Sequence, residues 1–433
     1  MTRRFYLLAV IVVLLIAGGY FFSPLYSVGI SGLWLLLALT AVDLLLLYRG
    51  GGITAGRSVP ERLSLGDENN VTIRVDSNFF FYVRLEVIDE IPPQLQLRNV
   101  VFKTRLKPHH GKNITYKLRP VSRGEYDFGN IRVSVSSPVG LFWRRMKLGH
   151  NQTVKVYPSF QMLHQYELLA ISNRLTDLGI KRIRRAGHNT EYEQIKAYVT
   201  GDDFRTVNWA ASARRHELMV NVYQDERSQQ VISIIDKGRM MQQAFGGMTL
   251  LDYSINAALM LSFVAMNKDD KAGLITFDNN IDTCLIPSRR HGHLQTILEQ
   301  LYVEKSTFSE SDFSMLSAEL NLRVSKRSLI LLFTNMNSLV TLKREQQYIS
   351  QIARKHKLIV VFFRDTDINS YLSTPSTTSA EYYQHVSAEK AMRDEELIAA
   401  TLRRQGVDTV LAEPNKLTVD VVNKYLEVRG KLA

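Results

Sequence analysis

One cysteine, Cys284, stands among 433 residues. No intramolecular disulfide can form, and a reducing compartment fits such a chain. Also missing is a Gly-rich loop followed by Lys and a hydroxyl residue, the device that cradles nucleotide phosphates. The chain is therefore not expected to hydrolyse ATP, and no cofactor is expected. None of the usual nucleic-acid-binding modules is visible, and the basic residues behind the net charge of +12 are spread from end to end. Neither a nucleic acid nor a small-molecule substrate is expected as partner. An anionic membrane remains.

Charge is absent from Phe5 to Phe22, and Val28 to Tyr48 carries only Asp43. Each run approaches the ~20 residues that cross a bilayer as a helix. Residues 1–50 thus read as a transmembrane helical hairpin. Arg3 and Arg4 precede it and Arg49, Arg57 and Arg62 follow it, which puts both ends in the cytoplasm. The basic residues after the second run are expected to meet anionic headgroups. Asp43 is expected near the interface, one turn from Arg49.

Over 53–157 the period is two, as in "VTIRV" (Val71 to Val75), "FYVRLEV" (Phe81 to Val87) and "IRVSV" (Ile131 to Val135). Short alternating strands between frequent turns predict an antiparallel β-sandwich. His109 and His110 are neighbours and read as a solvated loop, since adjacent strand residues point to opposite faces. Residues 158–230 form a connector with a helical stretch to about Leu178, a basic run at "KRIRRAG" and a dense polar segment. From 231 to 433 apolar strands alternate with helical patterns, among them Ala388–Gln405. The expected fold is therefore all-β followed by α/β, the latter a doubly wound parallel sheet. The segment Asp365 to Tyr383, rich in Ser and Thr, reads as a surface excursion.

The polar segment "YEQIKAYVTGDDFRTVNWAASARRHELMVNVYQDER" runs from Tyr192 to Arg227. Gly201 and Asp202 would start a short helix with Asp202 as N-cap and Asp203 in the first turn. Arg205 and Trp209 would then stack at i, i+4. Gly201, Asp202, Asp203, Arg205, Trp209, Ala213 and Arg214, then Glu226, Arg227 and an apolar strand ending in Asp236, resemble domain of unknown function 58. These are the MoxR-associated membrane proteins with a von Willebrand factor A-like domain. "SSPVGLFWRR" (Ser136 to Arg145) and "LRRQGVDTVLAEPNKL" (Leu402 to Leu417) also resemble the family. The resemblance implies partnership with a MoxR-type AAA+ ATPase in assembling or maturing protein complexes. Other von Willebrand factor A-type membrane proteins are possible partners.

It also implies a divalent-ion site with an Asp-x-Ser-x-Ser motif after the first strand, plus a Thr and an Asp from later loops. Here Asp236 is followed by Gly238 and Met240, and Asn335 stands where the acid is expected. The site is read as degenerate and no metal is expected, since one carboxylate and an amide are too few hard oxygens. Asp236 is then either a strand-end carboxylate satisfied by backbone N–H groups, Lys237 or Arg239, or part of a metal-free docking edge. Likewise Asp202, Asp203, Arg205 and Arg214 either pin two domains together or face a partner. The leading expectation is a non-enzymatic membrane-anchored scaffold. The alternative is a hydrolase using Cys284, beside His291 and His293 in sequence, or the Asp202/Asp203 cluster.

Overall fold

The computed structural model describes residues 1–97, 100–163, 166–167, 191–199, 204, 207–224, 228–336, 338–365, 368, 371–372 and 378–432. The basic run at 181–187 and Gly201, Asp202, Asp203, Arg205, Glu226 and Arg227 lie outside the described residues. The chain divides into two compact units, Met1–Tyr157 and Pro158–Ala433.

The first unit opens with two apolar helices, α1 (Arg3–Gly18) and α2 (Ser23–Arg49). The 27 residues of α2 rise roughly 40 Å at about 1.5 Å each, and its composition and length suffice to cross a bilayer. The helices lie backbone to backbone at Gly29, where a Cβ would sit 2.9 Å from the Ile16 nitrogen. Strands β1 (Ile53–Ser58), β2 (Arg62–Ser64), β3 (Asn69–Ser77), β4 (Val83–Asp89) and β5 (Val101–Leu106) follow. Next come β6 (Gly111–Leu118), β7 (Gly124–Phe128), β8 (Ile131–Ser136), β9 (Trp143–Leu148) and β10 (Gln152–Tyr157). They make three sheets, β1-β3-β6, β5-β4-β8-β9 and β2-β10-β7. Every pairing is antiparallel except β2 with β10. The alternation of β3, β4 and β8 sends Ile73, Val75, Leu85, Val87, Val133 and Val135 into one core.

Leu47 of α2 lies in that same core, wholly buried. Asp43, one turn earlier, is not a carboxylate merely near an interface. It is buried and accepts from the Leu141 N–H at 2.9 Å, the Phe142 N–H at 2.8 Å and the Ser137 hydroxyl. Arg144 donates to the Leu47 carbonyl at 2.6 Å. At the start of α1, the Thr2 N–H donates to the Leu141 carbonyl at 2.9 Å and its hydroxyl to the Gly140 carbonyl at 2.7 Å. The loop between β8 and β9, within "SSPVGLFWRR", thus holds the near ends of both helices. The Arg57 side chain is buried against Asp89 and donates to the Gly129 carbonyl at 2.9 Å. His109 and His110 are exposed in a loop.

The second unit carries a hairpin, β11 (Glu191–Ala197) with β12 (Met219–Gln224), and the short helix α3 (Trp209–Arg215) inside its loop. Its main sheet contains β13 (Gln230–Asp236), β16 (Lys271–Phe277), β17 (Ile281–Ser288), β18 (Leu329–Phe333), β19 (Lys357–Phe363) and β20 (Asp408–Ala412). A small β14 (Ala244–Phe245) and β15 (Met248–Thr249) hairpin precedes its first helix. The order is β17-β16-β13-β18-β19-β20, all parallel except β17 against β16. One face packs on α4 (Leu250–Asn267), α5 (His293–Val303) and α9 (Leu417–Leu432), through Leu259, Leu301 and Val421. The other packs on α6 (Phe313–Arg323), α7 (Leu339–Lys355) and α8 (Ser379–Arg404), through Leu316, Ile349 and Leu402. α4 is as apolar as a membrane span, yet its most apolar stretch is 83% buried in this core. α8 begins well before Ala388, because Thr378 and Glu381 close a capping box that starts it at Ser379.

Candidate functional site

The sheet order reverses beside β13: the chain moves outward through β16 and β17, then returns to β18 on the other flank. Such a switch point opens a crevice at the C-terminal edge of the strands. Asp236 ends β13 there and Thr334 follows β18. Asp236 is 3% exposed. Its Oδ1 accepts the Gly238 N–H at 2.8 Å and the Ser311 hydroxyl, and its Oδ2 accepts the Thr334 hydroxyl at 2.7 Å. Burial pushes its carboxyl above the usual carboxylate range, against the opposing pull of those hydrogen bonds.

Ser311 reaches Asp236 because its loop is stitched to the turn after β13. The Thr307 N–H donates to the Lys237 carbonyl at 3.0 Å and the Arg239 N–H to the Ser309 carbonyl at 3.0 Å. Asp312 then caps α6, its Oδ1 accepting the Ser314 N–H at 2.8 Å. Gly238 is required: a Cβ there would fall 2.2 Å from the Ser311 oxygen. The hydroxyl supplied by Ser311 occupies the space of a side chain at position 238.

Lys237 does not neutralise Asp236. Its ammonium is buried on the other side, paired with Asp282 and with Glu304 at 2.9 Å. Glu304 also accepts from the hydroxyls of Thr276 at 2.7 Å and Thr283 at 2.6 Å. Arg239 does not neutralise Asp236 either; it is exposed at the rim. Beyond Asp236 lies a small cavity of about 100 Å³, lined by Arg239, Met240, Ser311, Asn335 and Arg344 among others. Arg344 pairs with the buried Glu345 at 2.6 Å.

A divalent ion does not fit these residues. Both oxygens of Asp236 already accept from protein donors, Met240 offers a thioether, and two guanidinium groups line the cavity. Among the described residues no group of three or more His, Cys, Asp or Glu is arranged to hold a metal. Of the four residues expected here, Asp236, Gly238, Met240 and Asn335 do come together around one crevice. Ser311, Thr334 and Arg344 join them without having been expected. The only signal for them is a hydroxyl-rich "STFSES" before one helix and a Thr directly after an apolar strand.

The family segment is only partly within the described residues. The helix start expected at Asp202 lies outside the described residues; α3 begins at Trp209, with Asn208 as N-cap accepting the Ala211 N–H at 3.0 Å. Val207 forms a bridge to Val220, and the expected stack of Arg205 on Trp209 falls on a residue outside the described ones. Phe204 packs edge-on against Trp209 instead, with ring centroids 5.8 Å apart. Ser212 latches α3 to β12, its hydroxyl accepting the Met219 N–H at 2.8 Å. Trp209, 63% exposed, Ala213 and Arg214 face solvent. Cys284 sits half-buried on β17, and the His293 ring pairs with the Ala272 carbonyl at 2.8 Å.

Comparison with known proteins matches residues 194–373 to the family described as "Protein of unknown function DUF58". The uncharacterized protein YeaD of Bacillus subtilis (strain 168) is 26% identical over 203 residues, 45% of this chain and 50% of that protein. The chain thus spans about half the length of this curated relative. Among solved structures, BatB from Bacteroides thetaiotaomicron overlaps at a TM-score of 0.30 and 10% identity, covering 47% of this chain and 100% of that one. An aerotolerance-related membrane protein from Bacteroides fragilis NCTC 9343 overlaps at 0.28 and 10%, covering 48% and 100%. Overlaps this slight do not establish a shared fold. The sequence match is more specific: over residues 194–373, somewhat under half of its length, the chain is similar to the DUF58 family.

Proposed function

We propose that this chain is a non-enzymatic scaffold, anchored by α1 and α2 in a bacterial inner membrane with its soluble units in the cytoplasm. Its second unit would be a von Willebrand factor A-like domain that docks a MoxR-type AAA+ ATPase. The strand order with a single antiparallel edge strand supports the domain reading. The observation that carries the scaffold reading is the committed state of Asp236. Its oxygens are occupied by Ser311, Thr334 and Gly238, so the edge that would otherwise hold an ion is left as a shaped polar surface. Exposed Phe308 and Val340 stand on the neighbouring loop and helix start, and a partner covering this edge would bury them as the apolar centre of an interface with the polar crevice at its rim. Exposure of Trp209 and Arg214 supports a docking role for that segment as well.

The test is affinity capture of the detergent-solubilised chain against bacterial cytosol and membranes, with ATP or ADP. The expected result is nucleotide-dependent capture of an ATPase identified as MoxR-type, weakened by Arg344→Ala or Trp209→Ala in folded protein and untouched by Cys284→Ala. Absence of that ATPase under every condition, or a phenotype lost with Cys284→Ala alone, sinks the scaffold reading.

A further inference from the structure

We propose that the outer face of the β5-β4-β8-β9 sheet binds the phosphate of an anionic lipid headgroup. The inference rests on the membrane-anchored reading above and extends it to a specific site. In this sheet Val83, Leu85, Val133 and Val135 point to the core, so the alternate residues face out. One row on this face runs Trp143, the buried Ser136, Arg84 and Arg105, each opposite the next in register. Arg84 thus stands directly across from Arg105, a like-charge pair that costs stability in an isolated sheet. The next row solves the same problem internally, since Glu86 lies opposite Lys103 and pairs with it at 3.6 Å. For Arg84 and Arg105 no carboxylate partner exists among the described residues. An anion between them would turn the repulsion into a bidentate site.

There is room for one. A cavity of about 530 Å³ is lined by Arg84, Glu86, Lys103, Arg105, Lys112 and Trp143. Lys112 lines its rim from β6, past the open edge of β5, where it donates to the hydroxyl of Thr104, the residue opposite core-facing Leu85; an ammonium has further protons for a phosphate oxygen.

Its position selects the source of the anion. The Arg84 row is the end of the sheet next to the helices: Ser136 leads into the loop that holds Asp43 and Thr2, and Trp143 leaves it. Thr2 therefore marks the level where α1 enters its apolar run, with Arg3 and Arg4 beside it, and Asp43 lies within the last two turns of α2 at the same loop. Cations at that level face the headgroup layer, and a half-buried Trp suits the interface between headgroup and acyl chain. Nucleic acid would need unpaired charge to continue along a groove, whereas in the next row Lys103 is already paired with Glu86.

The experiment is native mass spectrometry of the full chain in a neutral detergent, titrated with short-chain phosphatidylglycerol. Phosphatidylcholine, inorganic phosphate and a single-stranded RNA are titrated in parallel. Phosphatidylglycerol should bind in preference to phosphatidylcholine, and the variant Arg84→Gln/Arg105→Gln/Lys112→Gln should bind it at least roughly tenfold more weakly. Arg145→Gln/Lys147→Gln, farther along the same face, should bind as the wild type does. If the triple variant does not fold, exposed Arg105→Gln alone carries the test, with a partial loss expected. Equal binding of phosphatidylcholine, undiminished binding by the variants, saturation by inorganic phosphate alone or tighter binding of RNA overturns the site. Release of the wild-type chain from membranes by alkaline carbonate would instead overturn the anchor, and the two failures are read separately.

Discussion

Asp236 shows how one buried carboxylate can be held by hydroxyls instead of cations. With three protein donors on it and little exposure, its charge is still disfavoured and its native pKa is raised by burial. The unfolded chain loses this proton near pH 4, while the native state keeps it to higher pH, so stability must fall as pH rises between those two values. Asp236→Asn removes the titration. Urea melts across that window should therefore show the wild type losing stability relative to Asp236→Asn as pH increases; parallel curves would mean that burial does not govern this carboxyl. His356 has the opposite sign. It is buried, its Nδ1 accepting the Ser328 N–H at 3.3 Å, and burial lowers its pKa, helped by Lys355 and Arg327. Its neutral form is the folded one, so stability is complete above about pH 6.5 and declines below it as the unfolded chain takes up the proton. His356→Gln should flatten that acid limb in the same melts. Gly238→Ala tests the steric side: the added methyl meets Ser311 at 2.2 Å, an overpacking cost of about 1–3 kcal/mol. Ser311→Ala in the same chain should recover part of that loss, giving a measurable coupling in a double-mutant cycle.

At the scale of elements, the loop between β8 and β9 matters more than its length suggests. It gives Asp43 two backbone N–H donors and takes Thr2 in return. Asp43→Ala leaves the Leu141 and Phe142 N–H groups without their acceptor, a loss of about 1–3 kcal/mol for buried donors. Hydrogen exchange should register this as faster exchange at Leu141 and Phe142, with β3 unaffected. Protection unchanged at both amides would mean that the carboxylate is not their acceptor. Elements of this kind mark the limit of reading from sequence. The apolar run Val231–Ile235 is recognisable as a strand because period and composition agree. The antiparallel course of β17 is also accessible, since the link from Phe277 to Ile281 is too short for a crossover. What cannot be read is long-range: that Asp43 meets residues nearly a hundred positions away, or that Ser311 supplies the hydroxyl missing at 238. Neither carries a local period. The cap of α3 is legible for a local reason, because Asn208 is a residue type that caps well and stands directly before the helical stretch.

At the scale of the first unit as a whole, the helices and sheets share one core. Leu47 is fully buried among Ile53, Val75 and Val135, so the last turns of α2 belong to the β-rich body as much as to the apolar hairpin. A truncated chain beginning at Ile53, the natural place to cut by composition, would lose Leu47, Asp43 and the acceptor for Arg144 together. Loss of a buried Leu alone costs about 2–5 kcal/mol, which is a large share of a domain's stability. A truncated chain beginning at Ala41 keeps all three contacts while discarding most of the apolar hairpin. The Ile53 chain should bind a hydrophobic dye and unfold at a temperature lower by roughly 5–15 °C, whereas the Ala41 chain should bind little dye. If the two melt together, the end of α2 is a tether and not part of the core, and coupling between the hairpin and the sheets must run through Thr2 and α1 alone.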